Sequence, residues 1–204
     1  MKSLLASFIL LVTFLNSTKG QESKPQLLKE PTTWQFERFA LPPSFAPSIL
    51  YKGAEELRFA PGMFKKDSLD YFTYVFVAQI DNLIAISQTD IKNYLLNYYK
   101  GLCSATAKDR KLSIDTAQID AVVTTKKDAP AKETVYDATV NLFGVFADGA
   151  PVKLNMEINV INNAVARKSY LLFIASPLDK KEPLWSDLYA IRKKSLVTIL
   201  SRSE

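Results

Sequence analysis

The sequence predicts an α+β fold: an antiparallel β-sheet, a β-meander in its C-terminal half, with two helices packed on one face. Three observations predict it. In several segments apolar residues recur at every second position, the period of a strand. Over residues 88–106 the period changes to that of a helix, with Ile91, Leu95, Tyr98 and Leu102 on one stripe. In the second half, turn residues interrupt the alternation at spacings too short for crossover helices, so successive strands join by hairpins.

Residues 1–20 read as an export signal. Lys2 supplies the positive start, residues 4–15 are almost unbroken apolar, and the small Thr18 and Gly20 suit cleavage before Gln21. Twelve apolar residues fall short of the roughly 20 that span a bilayer, which disfavours a transmembrane anchor. Residues 21–32 are polar, contain Pro25 and Pro31, and read as a flexible leader; residues 33–204 read as one α+β domain. Residues 33–39 (TWQFERF) are strand-like, with Trp34 and Phe36 on one face. Pro42, Pro43 and Pro47 disfavour helix and central strand over residues 40–54. Residues 55–59 make a short strand. Residues 70–81 make a long one that is apolar or aromatic on both faces, which predicts a central position covered on both sides.

Ser87 with Asp90 three residues on fits a capping box at the start of the helix over 88–106. Gly101 inside that helix costs about 1 kcal/mol relative to alanine. Residues 115–125 alternate, with Ala117, Ile119, Ala121 and Val123 inward; residues 134–146 form the next strand. Asp148-Gly149 predicts a two-residue hairpin. Val152, Leu154, Met156, Ile158 and Val160 then alternate with Lys153, Asn155, Glu157 and Asn159, one face for the core and one for water. Asn162-Asn163 predicts a turn, residues 167–175 a last strand, and residues 183–194 a final helix opening on Pro183, with Leu184, Leu188 and Ile191 on one stripe.

Composition limits the chemistry. With 204 residues, one domain can bury roughly 70% of its unfolded surface and needs no disulfide or metal. The chain has no histidine, which removes Ser-His-Asp and Cys-His nucleophiles and imidazole metal sites. Cys103 is the only cysteine and falls in the helical stripe, so it reads as a buried structural thiol. The chain has 26 basic and 21 acidic residues. Loss of a signal with two lysines and no acid leaves a net charge of +3, spread along the sequence, so nucleic acid is not an expected partner. Phosphate-cradling glycine loops, nucleophile elbows and calcium-loop patterns are missing, and no cofactor or metal is expected.

Eleven aromatics fall within residues 34–76, against ten in the rest of the chain after the signal. Such density serves a ligand groove or the pinning of irregular segments to a sheet. The candidate ligand-binding residues are Trp34, Phe36, Glu56, Arg58, Tyr71 and Tyr74. Glu55 and Glu56 are strand neighbours and point to opposite faces, so they do not act as a pair; Glu56 and Arg58 share a face and suit an ion pair. The segments LRFAPGMF (57–64) and DYFTYVFV (70–77) are similar to segments of uncharacterised exported bacterial proteins. That resemblance implies a bacterial envelope setting and no particular activity. The expected function is therefore an exported, periplasmic or secreted, non-catalytic binding or interaction protein. Its partner would be an envelope protein or a small apolar or aromatic ligand. The alternative is a carboxylate-dependent hydrolase with glycosidase-like chemistry.

Overall fold

The computed structural model describes residues 26–129 and 133–202. The expected export signal and the expected cut before Gln21 lie outside those residues. The described residues form seven strands: β1 (Gln35–Leu41), β2 (Gly53–Phe59), β3 (Tyr74–Ile80), β4 (Asp120–Thr125), β5 (Thr134–Phe143), β6 (Pro151–Asn163) and β7 (Lys168–Ser176). Two helices, α1 (Gln88–Arg110) and α2 (Leu184–Leu200), and one 3-10 turn (Thr116–Gln118) complete them. The strands make one sheet in the order β1-β2-β3-β7-β6-β5-β4, antiparallel throughout. The chain thus lays down one meander and crosses the sheet through α1. It then starts a second meander at the far edge, which returns until β7 pairs with β3.

The α+β class, the antiparallel sheet and both helices are as expected. The helices divide between the two faces. On one face Tyr94, Leu95, Tyr98 and Cys103 of α1 pack with Tyr74, Phe76 and Ala78 of β3 and with Leu171 and Phe173 of β7. On the other, Trp185, Leu188, Ile191 and Ile199 of α2 pack with Val75 and Val77 of β3 and with Leu172 and Ile174 of β7. The cause is in β3 and β7 themselves: both are apolar at odd and even positions, and water on either face would meet a row of buried-type side chains. Burying Trp185 and Leu188 contributes roughly 2–3 kcal/mol each, enough to hold a short helix to the sheet.

The sequence signals around α1 are realised. Ser87 accepts from the Asp90 backbone N–H, and the Asp90 side chain accepts from the Ser87 N–H, which closes the capping box. The helix runs four residues past 106, and Lys111 ends it in the left-handed region with φ 57°. Gly101 has a packing reason: a Cβ there would lie 2.1 Å from the Phe45 carbonyl oxygen, so the proline-rich connection between β1 and β2 can rest directly on the helix.

Several boundaries differ from the pattern reading. Residues 70–73 form a turn, with Phe72 at φ 51° and its N–H on the Met63 carbonyl, and β3 starts only at Tyr74. Ala117 is exposed, because the chain first makes a 3-10 turn capped by Asp115. The β5–β6 connection spans residues 144–150 rather than two residues: Gly149 takes φ +76°, but the Asp148 side chain instead accepts from the Ala150 N–H. β6 runs through Asn162 and Asn163, and the turn follows at residues 164–167. β6 has no wet face at its middle, since Glu157 and Asn159 are buried. α2 extends to Leu200 and buries Trp185 rather than Leu184. The leader is not free where it is described: Leu27 and Leu28 are buried against the α2 side of the sheet.

Candidate functional site

The six candidate residues do not converge on one cleft. They serve the two faces of the sheet in different ways. Glu56 and Arg58 do share a face, as their spacing in β2 requires, but they do not pair with each other. Both hold the backbone of the segment before β1. The Glu56 carboxylate accepts from the N–H groups of Gln26, Leu27 and Leu28 at 2.8–3.1 Å and from Arg38 Nη1 at 2.5 Å. The Arg58 guanidinium donates to the carbonyls of Leu28, Lys29 and Trp34 at 3.0, 3.3 and 2.8 Å. A segment with no strand partner has its buried donors and acceptors satisfied this way. Phe36 lies under that guanidinium, 4.9 Å from its carbon, and Trp34 packs half-buried on the α2-side core.

Tyr74 is buried on the opposite face, its hydroxyl against that of Tyr99. Tyr71 is half-buried, edge-on to Phe72 at 5.7 Å, with its hydroxyl packed over Gly144. The aromatic density of residues 34–76 feeds a continuous interior stack. Phe76 lies 4.0 Å from Phe173 and 5.6 Å from Tyr98; Tyr74 lies 5.6 Å from Phe76.

Inside that stack sits Glu55, buried completely and on the face opposite Glu56. Its carboxyl accepts from Tyr98 at 2.8 Å and Tyr94 at 3.0 Å. Burial lifts it from 4.5 to about 8, against the opposing hydrogen bonds of Tyr98 and Tyr94. Burial also pushes the Cys103 thiol up to about 11, as suits a structural thiol.

A second ionic group, unforeseen in the sequence, lies where α2 meets β6. Buried Glu157 accepts from Lys126 Nζ at 2.5 Å, Arg192 Nη1 at 2.5 Å and the Tyr189 hydroxyl at 2.9 Å. Lys180 joins it at 3.5 Å and bridges to Asp137 at 2.5 Å. Burial alone would raise the Glu157 carboxyl, but the Lys126 hydrogen bond, the Lys180 charge and the Tyr189 hydroxyl hold it below its ordinary value. Arg192 lies 4.9 Å from the Tyr189 ring and Lys180 5.5 Å from the Trp185 ring. The signal for this group was present only as basic residues scattered between 126 and 192.

Surface relief is slight. One depression of about 100 Å³ beside Lys180 is lined by Val122, Thr124, Asp137 and Asn155; another of about 390 Å³ lies over Asn141, Phe143 and Val152. Both are open to solvent. More pronounced is the far end of α2. Val197 and Leu200, 65% and 62% exposed, are neighbours on the helix surface, and Lys193 and Lys194 stand one turn before them. The Asn163 side chain donates to the carbonyls of Ile199 and Arg202, which brings the β6–β7 hairpin, with exposed Val165 and Arg167, to the same end.

Among the described residues no group of three or more acidic or thiol side chains could hold a metal ion. No described helix is long and apolar enough to cross a membrane. No protein-family model, curated protein or solved structure matches the chain.

Proposed function

We propose that the protein is a non-catalytic binding protein of the bacterial envelope, exported as its N-terminus implies, that docks on an anionic membrane surface through the end of α2. The observation that carries the non-catalytic part is the split between its two carboxylate centres. Glu55, pushed up to about 8 by burial, is sealed among tyrosines, where no substrate reaches it. Glu157 is buried beneath Lys126, Lys180 and Arg192, and the Lys126 hydrogen bond, the Lys180 charge and the Tyr189 hydroxyl hold it below its ordinary value, the opposite of a general acid. Glycosidase-like chemistry needs one carboxylate and one raised carboxyl flanking a common cleft. Glu55 and Glu56 face opposite sides of the sheet, and the carboxylates of Asp137 and Glu157 are bridged by Lys180.

The docking part rests on charge and apolarity at one end. Beyond Arg192, whose guanidinium is paired with Glu157, the chain up to residue 202 carries Lys193, Lys194 and Arg202 and no acid. Exposed Val165, Val197 and Leu200 supply apolar side chains next to them. Basic residues near an anionic bilayer contribute about 1 kcal/mol each, and inserted apolar side chains add to that. The test is flotation with phosphatidylglycerol vesicles and with phosphatidylcholine vesicles. The protein should float with the first only, release as salt rises, and lose binding in the double variant Val197→Asp, Leu200→Asp. Absence from the phosphatidylglycerol fraction at low salt would remove the membrane-surface reading.

A further inference from the structure

The sheet ends in β1 on one side and β4 on the other, and the two edges are built differently. β1 carries Glu37 and Arg38 in mid-strand, charges that discourage another strand from pairing there. β4 has the opposite character. Ala121, Val122, Val123, Thr124 and Thr125 run without charge, proline or glycine, and four of the five are β-branched. Its inner face is already complete: Ile119, Ala121 and Val123 are buried against the α1 side. Val122, 57% exposed, and Thr124 stand on the outer face, and among the described residues nothing pairs with the outer edge.

The ladder to β5 fixes which backbone groups are free. Lys126 donates its N–H to the Val135 carbonyl, in the same register that sets Val123 against Ala138 and Thr125 against Tyr136. Hydrogen-bonded and non-hydrogen-bonded pairs alternate along an antiparallel ladder. Lys126, Thr124 and Val122 therefore turn their N–H and C=O groups to β5, and Ala121, Val123 and Thr125 turn theirs outward. An edge of this kind selects a partner strand that presents its own outward groups at the same spacing.

We propose that β4 pairs antiparallel with β4 of a second copy of this chain, about a two-fold axis through Val123, and joins the two sheets into one. This is the register in which the strand is complementary to itself. Val123 meets the copy's Val123, and Ala121 meets the copy's Thr125 in both directions, so every outward donor and acceptor of β4 is satisfied. On the outer face, Val122 meets the copy's Thr124. Asp120 meets the copy's Lys126, an opposite-charge pair formed twice. Lys126 already bonds Glu157, but its ammonium has further donors and remains partly exposed. Sliding the pairing by two residues would set Val122 on Val122, remove both charge pairs and leave Thr125 unpaired within the strand.

The test uses sedimentation equilibrium of the purified protein and of Val122→Lys and Thr124→Lys, both at exposed positions. Wild type should populate a dimer as concentration rises, and either lysine should weaken dimerisation at least tenfold with an unchanged circular dichroism melt. Register is read from cysteine variants, since Cys103 is buried and silent. Val122→Cys mixed with Thr124→Cys should cross-link under oxidation, because directly opposite Cα atoms lie within disulfide reach, and neither variant should cross-link alone. A wild type that stays monomeric to about 1 mM, or a dimer indifferent to both lysines, overturns the proposal. Cross-linking of Val122→Cys with itself overturns the register.

Discussion

Glu55 shows how far one side chain can govern a fold without touching solvent. It faces Tyr94 and Tyr98 of α1 through direct hydrogen bonds, with Tyr74 and Tyr99 nearby, and among the described residues no cation pairs with it. In the unfolded chain this carboxyl loses its proton near 4.5, whereas in the folded protein it keeps it up to about 8. Between those values the folded state binds more protons, so stability falls as pH rises, at up to about 1.4 kcal/mol per pH unit. Glu55→Gln keeps an acceptor for one tyrosine and offers a donor to the other. Urea unfolding from pH 5 to 9 should therefore give a wild type that weakens with pH relative to Glu55→Gln, with the difference levelling off above pH 8. Parallel curves would show that Glu55 is ionised in the fold. Glu157 works in the other direction. Its removal leaves Lys126, Lys180 and Arg192 facing one another, and breaking a buried pair costs 3–5 kcal/mol. The three cations keep 23–31% exposure and can hydrate, so Glu157→Ala should cost about 2–3 kcal/mol by chemical denaturation.

At the scale of elements, the helix interior gives a prediction whose sign opposes propensity. Alanine is favoured over glycine by about 1 kcal/mol in a helix. At Gly101 the added Cβ would sit 2.1 Å from the Phe45 carbonyl oxygen and 3.2 Å from the Ala46 Cα, atoms of a backbone that cannot rotate away. Gly101→Ala should therefore lower the melting temperature, and a rise would mean that the connection between β1 and β2 does not rest on α1. The two-faced character of β3 is legible because both of its faces carry large apolar side chains, although its start at Tyr74 is not, and the capping box at Ser87 is a local device readable from four residues. The middle of β6 was not legible. Glu157 and Asn159 look like any solvated strand face until Lys126, Lys180 and Arg192 arrive from three other parts of the chain. The shared face of Glu56 and Arg58 follows from their spacing, but their targets are backbone groups of residues 26–34, which carry no side-chain signature. The aromatic density of residues 34–76 marks that segment as unusual but does not place it, because density alone does not separate a groove from a core.

For the molecule as a whole, the question is whether two cores on opposite faces of one sheet make one cooperative unit or two. The α1-side core and the α2-side core share no residue, yet they alternate along the same backbone: Val75, Val77, Leu172 and Ile174 face α2, while Tyr74, Phe76, Leu171 and Phe173 face α1. Stripping α2 from the sheet would expose the first four side chains in mid-sheet, at roughly 1.5–3 kcal/mol each. It would also unseat Glu157 from Arg192 and Tyr189. That sum is comparable to the 5–15 kcal/mol that separates folded from unfolded for a whole domain, so an open state lacking only α2 should not accumulate. The chain provides a direct test, because its two tryptophans, Trp34 and Trp185, both lie on the α2 side. Tryptophan fluorescence therefore reports that layer, while far-ultraviolet circular dichroism reports the entire sheet and the longer helix α1. The two signals should trace superimposable urea transitions with a common midpoint and slope. A fluorescence change complete before the dichroism begins to fall would mean that α2 leaves as an independent layer. In that case the contacts of β3 and β7 with the two helices do not couple the faces.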